Sequence, residues 1–386
     1  MNVDERIERR LRSDRPNGVV TDIEAITPVV HVDDPVGRGP VLERLLDVLD
    51  PAFAGARPPS VYVHGPKGSG KSAVVTTLFD RLDSHAGRQG GAIHTATRTA
   101  EPPLPRFVRV DARRAGTRFG LYHDALAGLI DVPVPDHGVG TDELATRLAD
   151  AVGSEGVVVA IDHADEPDTF APGEAAALLG DVADALVPVV VGRTSPETLD
   201  WEPETVVEVP AYERHALVDV LTARTTTGLS RNAVSHDQVR EIAEWAEGDA
   251  HDALAALFGA TVSAERDDAG TLRPADVDAG IEAVPKPSVS LGRVFALPEN
   301  RKRVLAELVT LDEDERGSVG AATEAIAAAP TVDLTASTVR RVLYELAELD
   351  VLELVTAPSS GGKGRPPSRI VARFPTRVFS ELFSPE

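Results

Sequence analysis

Cysteine is absent from this chain of 386 residues, which excludes disulfides, thiolate metal sites and a cysteine nucleophile. Lysine is scarce: of 39 basic residues only Lys67, Lys71, Lys286, Lys302 and Lys363 are lysines. No run of 18 apolar residues occurs, and the opening MNVDERIERRLRSDRP has no apolar leader core. Neither a membrane span nor secretion is therefore expected, and the chain is read as cytoplasmic.

What is abundant is acid. The 62 acidic residues against 39 basic ones leave a formal charge of -23. That balance, with so little lysine, resembles the surfaces of proteins from salt-loving archaea, where global charge speaks to solubility in brine more than to partners. An acidic total argues against nucleic-acid binding unless local basic patches say otherwise. Apolar content of 42% and a length beyond 300 residues predict a folded chain of two or three domains.

Residues 1–30 are polar and mixed in charge, and read as a frayed N-terminal arm. From there to residue 210, strands alternate with amphipathic helices: a strand at 60–64, a helix from Ser72, a strand ending near Asp111, a helix at 141–152, the strand VVVAID, a helix at 172–186, and strands at 187–191 and 205–210. Such alternation indicates an α/β domain with a parallel sheet and helices on both faces. Residues 211–284 read as helices only, a small helical domain. PKPSVS (285–290) reads as a linker, since two prolines and two serines break both periodicities. In 291–386, helices at about 299–311, 319–328 and 335–349 precede a strand, a Gly/Pro/Ser-rich loop and a second strand, the pattern of a winged helix.

GPKGSGKS, residues 65–72, satisfies G-x-x-x-x-G-K-[ST] with a strand before it and a helix after it. Glycines in such a turn let backbone N–H groups face phosphate oxygens, and the helix N-terminus adds partial positive charge. The contacts expected run through Gly65, Pro66, Lys67, Gly68, Ser69, Gly70, Lys71, Ser72 and Ala73. Lys71 would reach the outer phosphates of ATP or ADP, and Ser72 would hold Mg²⁺. Asp162, at the end of its apolar strand, is the expected second metal ligand.

With these motifs in place the chain resembles the archaeal Orc1/Cdc6 replication initiators, AAA+ ATPases with a C-terminal winged helix. The resemblance runs through PVGRGPVLERL, HGPKGSGKS, FVRVDARRA, VVVAIDHAD, VEVPAYERHAL, GDAHDAL and FALPENRKRVLAEL. It implies an AAA+ domain at 31–210, a helical lid at 211–284, and a place for Tyr212 in the nucleotide site. Double-stranded DNA is the implied partner, with other AAA+ replication subunits or a helicase beside it.

The family's catalytic set transfers unevenly. The glutamate that polarises the attacking water corresponds to His163, the sensor asparagine to Ser195, and the sensor arginine of the lid to His251. No arginine finger is evident before the last strand. An imidazole beside a metal-bound triphosphate is a poorer anchor for water than a carboxylate, and arginine loss removes factors of about 10³ in phosphoryl transfer. The expectation is nucleotide binding with very slow turnover, unless Asp165 or Glu166 replaces the glutamate by a bend in the loop.

DNA contacts are expected in two places. Residues 356–377 hold Lys363, Arg365, Arg369, Arg373 and Arg377 and no acid, suiting a basic wing. The preceding helix buries Val339, Val342, Leu343 and Leu346, leaving Ser337, Thr338, Arg340 and Arg341 at its start for a groove. Arg113, Arg114 and Arg118 lie where the resembled family carries a DNA-contacting helix, although surface ion pairs would explain them equally. Three functions stay open: a DNA-binding initiator switched by nucleotide, a nucleotide-gated transcriptional regulator or non-initiating paralogue, and a motor completed by a partner's arginine.

Overall fold

Each strand of the central sheet is a short run dominated by β-branched residues, and its alternate side chains feed two separate cores. The computed structural model describes residues 18–90, 104–153, 156–356 and 368–384. It divides into two compact units, His31–Ala216 and the remainder, Met1–Val30 with Leu217–Glu386.

In the first unit, α1 (Gly39–Phe53), β1 (Val61–His64), α2 (Lys71–Gly90), β2 (Arg106–Asp111), α3 (Arg118–Ala127), α4 (Thr141–Val152), β3 (Val157–Asp162), α5 (Pro172–Gly180), β4 (Leu186–Gly192) and β5 (Thr205–Glu208) follow one another. The sheet order is β2-β3-β4-β1-β5, all parallel. Val61, Val63, Val158, Ala160, Val189 and Val191 point to one face, against Leu45, Leu49, Val74 and Leu78 of α1 and α2. Tyr62, Val157, Val159, Ile161 and Val190 point to the other, against Leu121, Leu144, Leu148 and Leu179. A period of two with both faces covered is what a buried parallel sheet requires. Helix α5 stops at Gly180, six residues short of the expected 186, because Leu186 already pairs in β4.

The second unit begins with residues the sequence reading left as a frayed arm. Residues 18–30 instead pack: Val19 and Ile26 are fully buried, and the Val19 and Val20 N–H groups donate to the Glu265 carboxylate at 2.5 and 2.9 Å. The Arg224 guanidinium donates to the carbonyls of Ala25 and Val30. Helices α6 (Arg214–Gly228), α7 (His236–Trp245), α8 (Ala250–Arg266) and α9 (Pro274–Glu282) carry the chain to residues 285–290. That irregular stretch is held at several points. Lys286 Nζ donates to the Trp245 carbonyl and lies 4.4 Å from that ring's centroid, Ser288 Oγ bonds Asp252, and Val289 N–H donates to Arg373 O.

Helices α10 (Leu291–Ala296), α11 (Glu299–Thr310), α12 (Val319–Ala328) and α13 (Ala336–Glu348) come next. The antiparallel pair β6 (Leu352–Thr356) and β7 (Ser368–Ala372) follows, and then α14 (Thr376–Leu382). The sequence reading did not anticipate α10 or α14. Both are short, and Phe379 of α14 is buried against Phe295 of α10 and against Phe374. Their stability comes from tertiary packing more than from propensity. Among the described residues no helix is long and apolar enough to cross a membrane.

Candidate functional site

Strand β1 ends at His64 and the chain turns at once through Gly65, Gly68 and Gly70 into α2. A Cβ on Gly65 would lie 2.0 Å from the Val209 carbonyl oxygen, and one on Gly70 would lie 2.8 Å from the Tyr212 hydroxyl. The φ angles of Gly68 and Gly70, 68° and 83°, belong to the left-handed region where glycine is at home. Lys71 folds back into the loop, its Nζ donating to the carbonyls of Gly65 (2.7 Å) and Pro66 (2.8 Å). Burial, and next the positive charge of Arg193, bring its pKa down to about 8, against the pull of Asp162, Asp165 and Glu166. A buried cation in a glycine turn at a helix N-terminus fits a phosphate group. Ser72 and Asp162 supply oxygen donors of the kind Mg²⁺ takes.

Tyr212 is buried beside this loop, with the Arg38 guanidinium stacked 3.5 Å from its ring centroid. Arg38 also donates to the Pro210 carbonyl at 2.9 Å. The sequence reading included Tyr212 and passed over Arg38. The stretch PVGRGP holds it, but only the fold brings residue 38 against residue 212.

The carboxyl ends of β2, β3 and β4 form an alternating set of charges. Asp111 and Asp162 stand side by side in register at the ends of β2 and β3. Arg113 turns inward onto Asp111 through two hydrogen bonds of 2.9 and 2.8 Å, with its side chain 13% exposed. Although burial opposes ionisation of Asp111, this guanidinium holds its carboxyl below the usual range. Arg113 is thus corrected from a DNA contact to a member of the nucleotide-side cluster, because its fork is spent on Asp111.

After Asp162 the chain bends sharply, with positive φ at His163 (64°), Asp165 (70°) and Asp168 (61°). The bend delivers Asp165 to the end of β4, where its carboxylate accepts from the N–H groups of Arg193 (2.6 Å) and Thr194 (2.5 Å) and from the Thr194 hydroxyl. It also delivers Glu166, whose side chain is 4% exposed, to Arg193: NH2 to Oε1 is 2.7 Å. His163 lies between two acids, Nδ1 3.4 Å from Glu166 Oε1 and Nε2 3.5 Å from Asp162 Oδ2. Burial alone would raise the Glu166 pKa; His163, Arg193 and Arg113 together hold it down at about 2. Its Oε2 is buried and accepts no hydrogen bond.

Ser195 is exposed and starts the 3₁₀ turn Pro196–Thr198, its carbonyl accepting from Thr198. In the other unit, His251 is 11% exposed in its side chain, and its Nε2 accepts the Leu291 N–H at 2.9 Å while Nδ1 faces Asp252 at 3.1 Å. A histidine stands where the sequence reading expected an arginine, and it ties α8 to the start of α10.

The basic candidates separate as clearly. Arg114 is exposed, and Arg118 is half-exposed with its Nε donating to the Tyr122 hydroxyl at 3.2 Å. Thr335 caps α13 by accepting from Thr338 N–H, and Ser337, Arg340 and Arg341 are exposed along its first turns. Arg341 pairs loosely with Glu345 at 3.7 Å. Arg369 is exposed on β7. Lys363 and Arg365 lie outside the described residues. Arg373 is not a free hairpin arginine, since it pairs with Asp350 at 2.9 Å, and Arg377 belongs to α14 and donates to Gly259 O at 3.4 Å.

Residues 34–192 match the AAA ATPase domain family. ORC1-type DNA replication protein 6 of Halobacterium salinarum is 26% identical over 294 residues, covering 71% of this chain and 74% of that protein. The chain belongs to the Orc1/Cdc6 family. The solved Aeropyrum pernix Orc1 protein in complex with DNA aligns over 94% of this chain and 97% of its own, with a TM-score of 0.61 and 23% identity. The Aeropyrum pernix ORC2 protein in its ADPNP–ADP complexes aligns over 95% of this chain and 97% of its own, at a TM-score of 0.54 and 16% identity. The parallel sheet with helices on both faces is the AAA+ fold of this family, and His163, Ser195 and His251 are this member's own residues at the places the resemblance gave to catalytic groups.

Proposed function

We propose that this Orc1/Cdc6 member binds ATP or ADP with Mg²⁺ at residues 65–73, Asp162 and Tyr212, binds double-stranded DNA, and uses nucleotide as a conformational switch with very slow hydrolysis. Residues 31–210 act as the nucleotide domain, 211–284 as the lid and 291–386 as a winged helix joined through 285–290. Origin binding is the cellular role, as the relatives' names suggest.

One observation carries the switch reading. The phosphate cradle is complete, while the one buried carboxylate beyond Asp162 and Asp165 is already neutralised. Glu166 sits 2.7 Å from Arg193 and near His163, with a pKa of about 2. A carboxylate so stabilised is a weak base toward water, so the bend that brings it in does not restore the lost glutamate. The residues supporting DNA contact are Arg114, Arg118, Ser337, Thr338, Arg340, Arg341 and Arg369, with Lys363 and Arg365 beyond the described part. Nucleotide acts through a difference in affinity between two conformations, which needs binding and not turnover.

The substitutions at three catalytic places also favour a second reading, a DNA-binding paralogue that regulates transcription and no longer initiates. Footprinting on genomic DNA with ATP, ADP and no nucleotide, in high salt, tests both. Protection at an origin that changes with nucleotide supports the first reading. Protection only at promoters supports the second, and binding indifferent to nucleotide and to Arg365→Ala contradicts the switch.

A further inference from the structure

Arg193 is the cation in this unit that neither the P-loop motif nor the acidic strand ends account for. It follows Gly192, and Gly192 pairs with His64 in the parallel ladder. Neighbouring strands lie about 4.8 Å apart, so Arg193 leaves the sheet beside the point where β1 enters the phosphate loop. Its backbone is fixed, because Asp165 accepts its N–H and both donors of Thr194, and Tyr62 Oη donates to the Thr194 carbonyl at 2.9 Å. Its side chain is not fixed in the same way. It is 39% exposed and held by one ion pair, to Glu166.

We propose that Arg193 is the residue by which this site distinguishes ATP from ADP: its guanidinium exchanges Glu166 for the γ-phosphate. The inference rests on nucleotide occupying the 65–73 loop. A terminal phosphate carries more negative charge than a carboxylate and matches the guanidinium fork equally well, so it competes for the same donors. ADP brings no such group as far as β4, and Arg193 then stays on Glu166.

The exchange leaves no uncompensated charge behind. Glu166 keeps His163 at 3.4 Å, and Arg113 lies near enough for its charge to act on the same carboxylate. The field of Arg193 already reaches Lys71, where it is the largest charge effect depressing that ammonium. Two cations directed at one region, one in the loop and one at the neighbouring strand end, make a place that gains from an anion between them. Asp165 is what allows the side chain to swing while the turn stays in place.

The test is calorimetric titration of the full chain with Mg²⁺ and either AMP-PNP or ADP, on the wild type, Arg193→Gln, Arg193→Lys and Glu166→Gln. The wild type is expected to prefer AMP-PNP. Arg193→Gln should weaken AMP-PNP by about tenfold, the value of one charge-assisted hydrogen bond, and leave ADP unchanged. Arg193→Lys should recover part of the preference. Glu166→Gln, which removes the competing carboxylate charge, should raise the AMP-PNP to ADP affinity ratio by about two- to fivefold. Equal loss for both nucleotides in Arg193→Gln, or no loss, overturns the proposal. So does a wild type that binds both alike. If the wild type and Lys71→Ala both fail to bind either nucleotide, the phosphate-loop reading falls first, a result distinct from loss of discrimination alone. Thermal melting of each variant, with Arg193→Gln as the milder change, separates misfolding from lost contact.

Discussion

Two ends of the same sheet have fared differently. At β1 the phosphate turn keeps every feature that binding needs: glycines at close approaches, a buried lysine, and a serine entering the helix. At β3 and β4 the metal-side aspartate remains, but the residues beyond it have been reassigned. His163 replaces a carboxylate, Asp165 serves as a clamp on β4, and Glu166 is consumed by Arg193. The difference teaches that phosphate binding and water activation are physically separable. The first rests on backbone geometry that few substitutions disturb, and the second on one free carboxylate held in place.

The comparison can be broken most severely at its intact side. Lys71→Ala removes the buried cation, and nucleotide affinity should fall about 10²- to 10³-fold in a binding titration. An unchanged affinity would mean that the turn does not bind phosphate.

The next effect is on the reassigned side, and is one of stability. Glu166 has a folded pKa of about 2 against an ordinary 4.5, so its contribution is fully present above pH 4.5 and is lost as pH falls toward 2. Between pH 6 and pH 3 the wild type should lose about 2 kcal/mol more unfolding free energy than Glu166→Gln. Denaturant melts at the two pH values check it, and equal losses would show that the cluster is not electrostatically bound.

His163→Glu tests the same side through chemistry. Restoring a carboxylate next to Asp162 should raise ATP turnover about tenfold, the low end for a positioned base, with binding little altered. No gain would place the block elsewhere, at Ser195 or His251. The smallest effect belongs to the DNA surface. Arg369→Ala should weaken binding evenly across sequences and reduce the slope of log affinity against log salt by about 1, whereas Arg373→Ala, already paired with Asp350, should leave that slope alone.

Much of this was legible in the sequence where local pattern decides the outcome. The phosphate turn, the strand ending at Asp162 and helix α4 at Thr141–Val152 were read with correct bounds, since each follows from short-range periodicity or a sharp motif. What could not be read depends on register. Arg193 becomes a site residue only because β4 lies beside β1, and Asp165 becomes a clamp only because three residues of positive φ fold 163–168 back. Arg113 looked like a surface arginine until the pairing of β2 with β3 set Asp111 beside it. Residues 18–30 looked loose because their few apolar positions show no period, yet Val19 and Ile26 are wholly buried.

The central claim is that the chain holds nucleotide without spending it. Its most direct test is steady-state ATP hydrolysis by the full chain in high salt, with and without DNA, alongside a measurement of bound nucleotide. The account predicts near-stoichiometric bound nucleotide with turnover far below about 1 s⁻¹, the low end for ordinary enzymes. Turnover at ordinary rates that disappears in Lys71→Ala would contradict it.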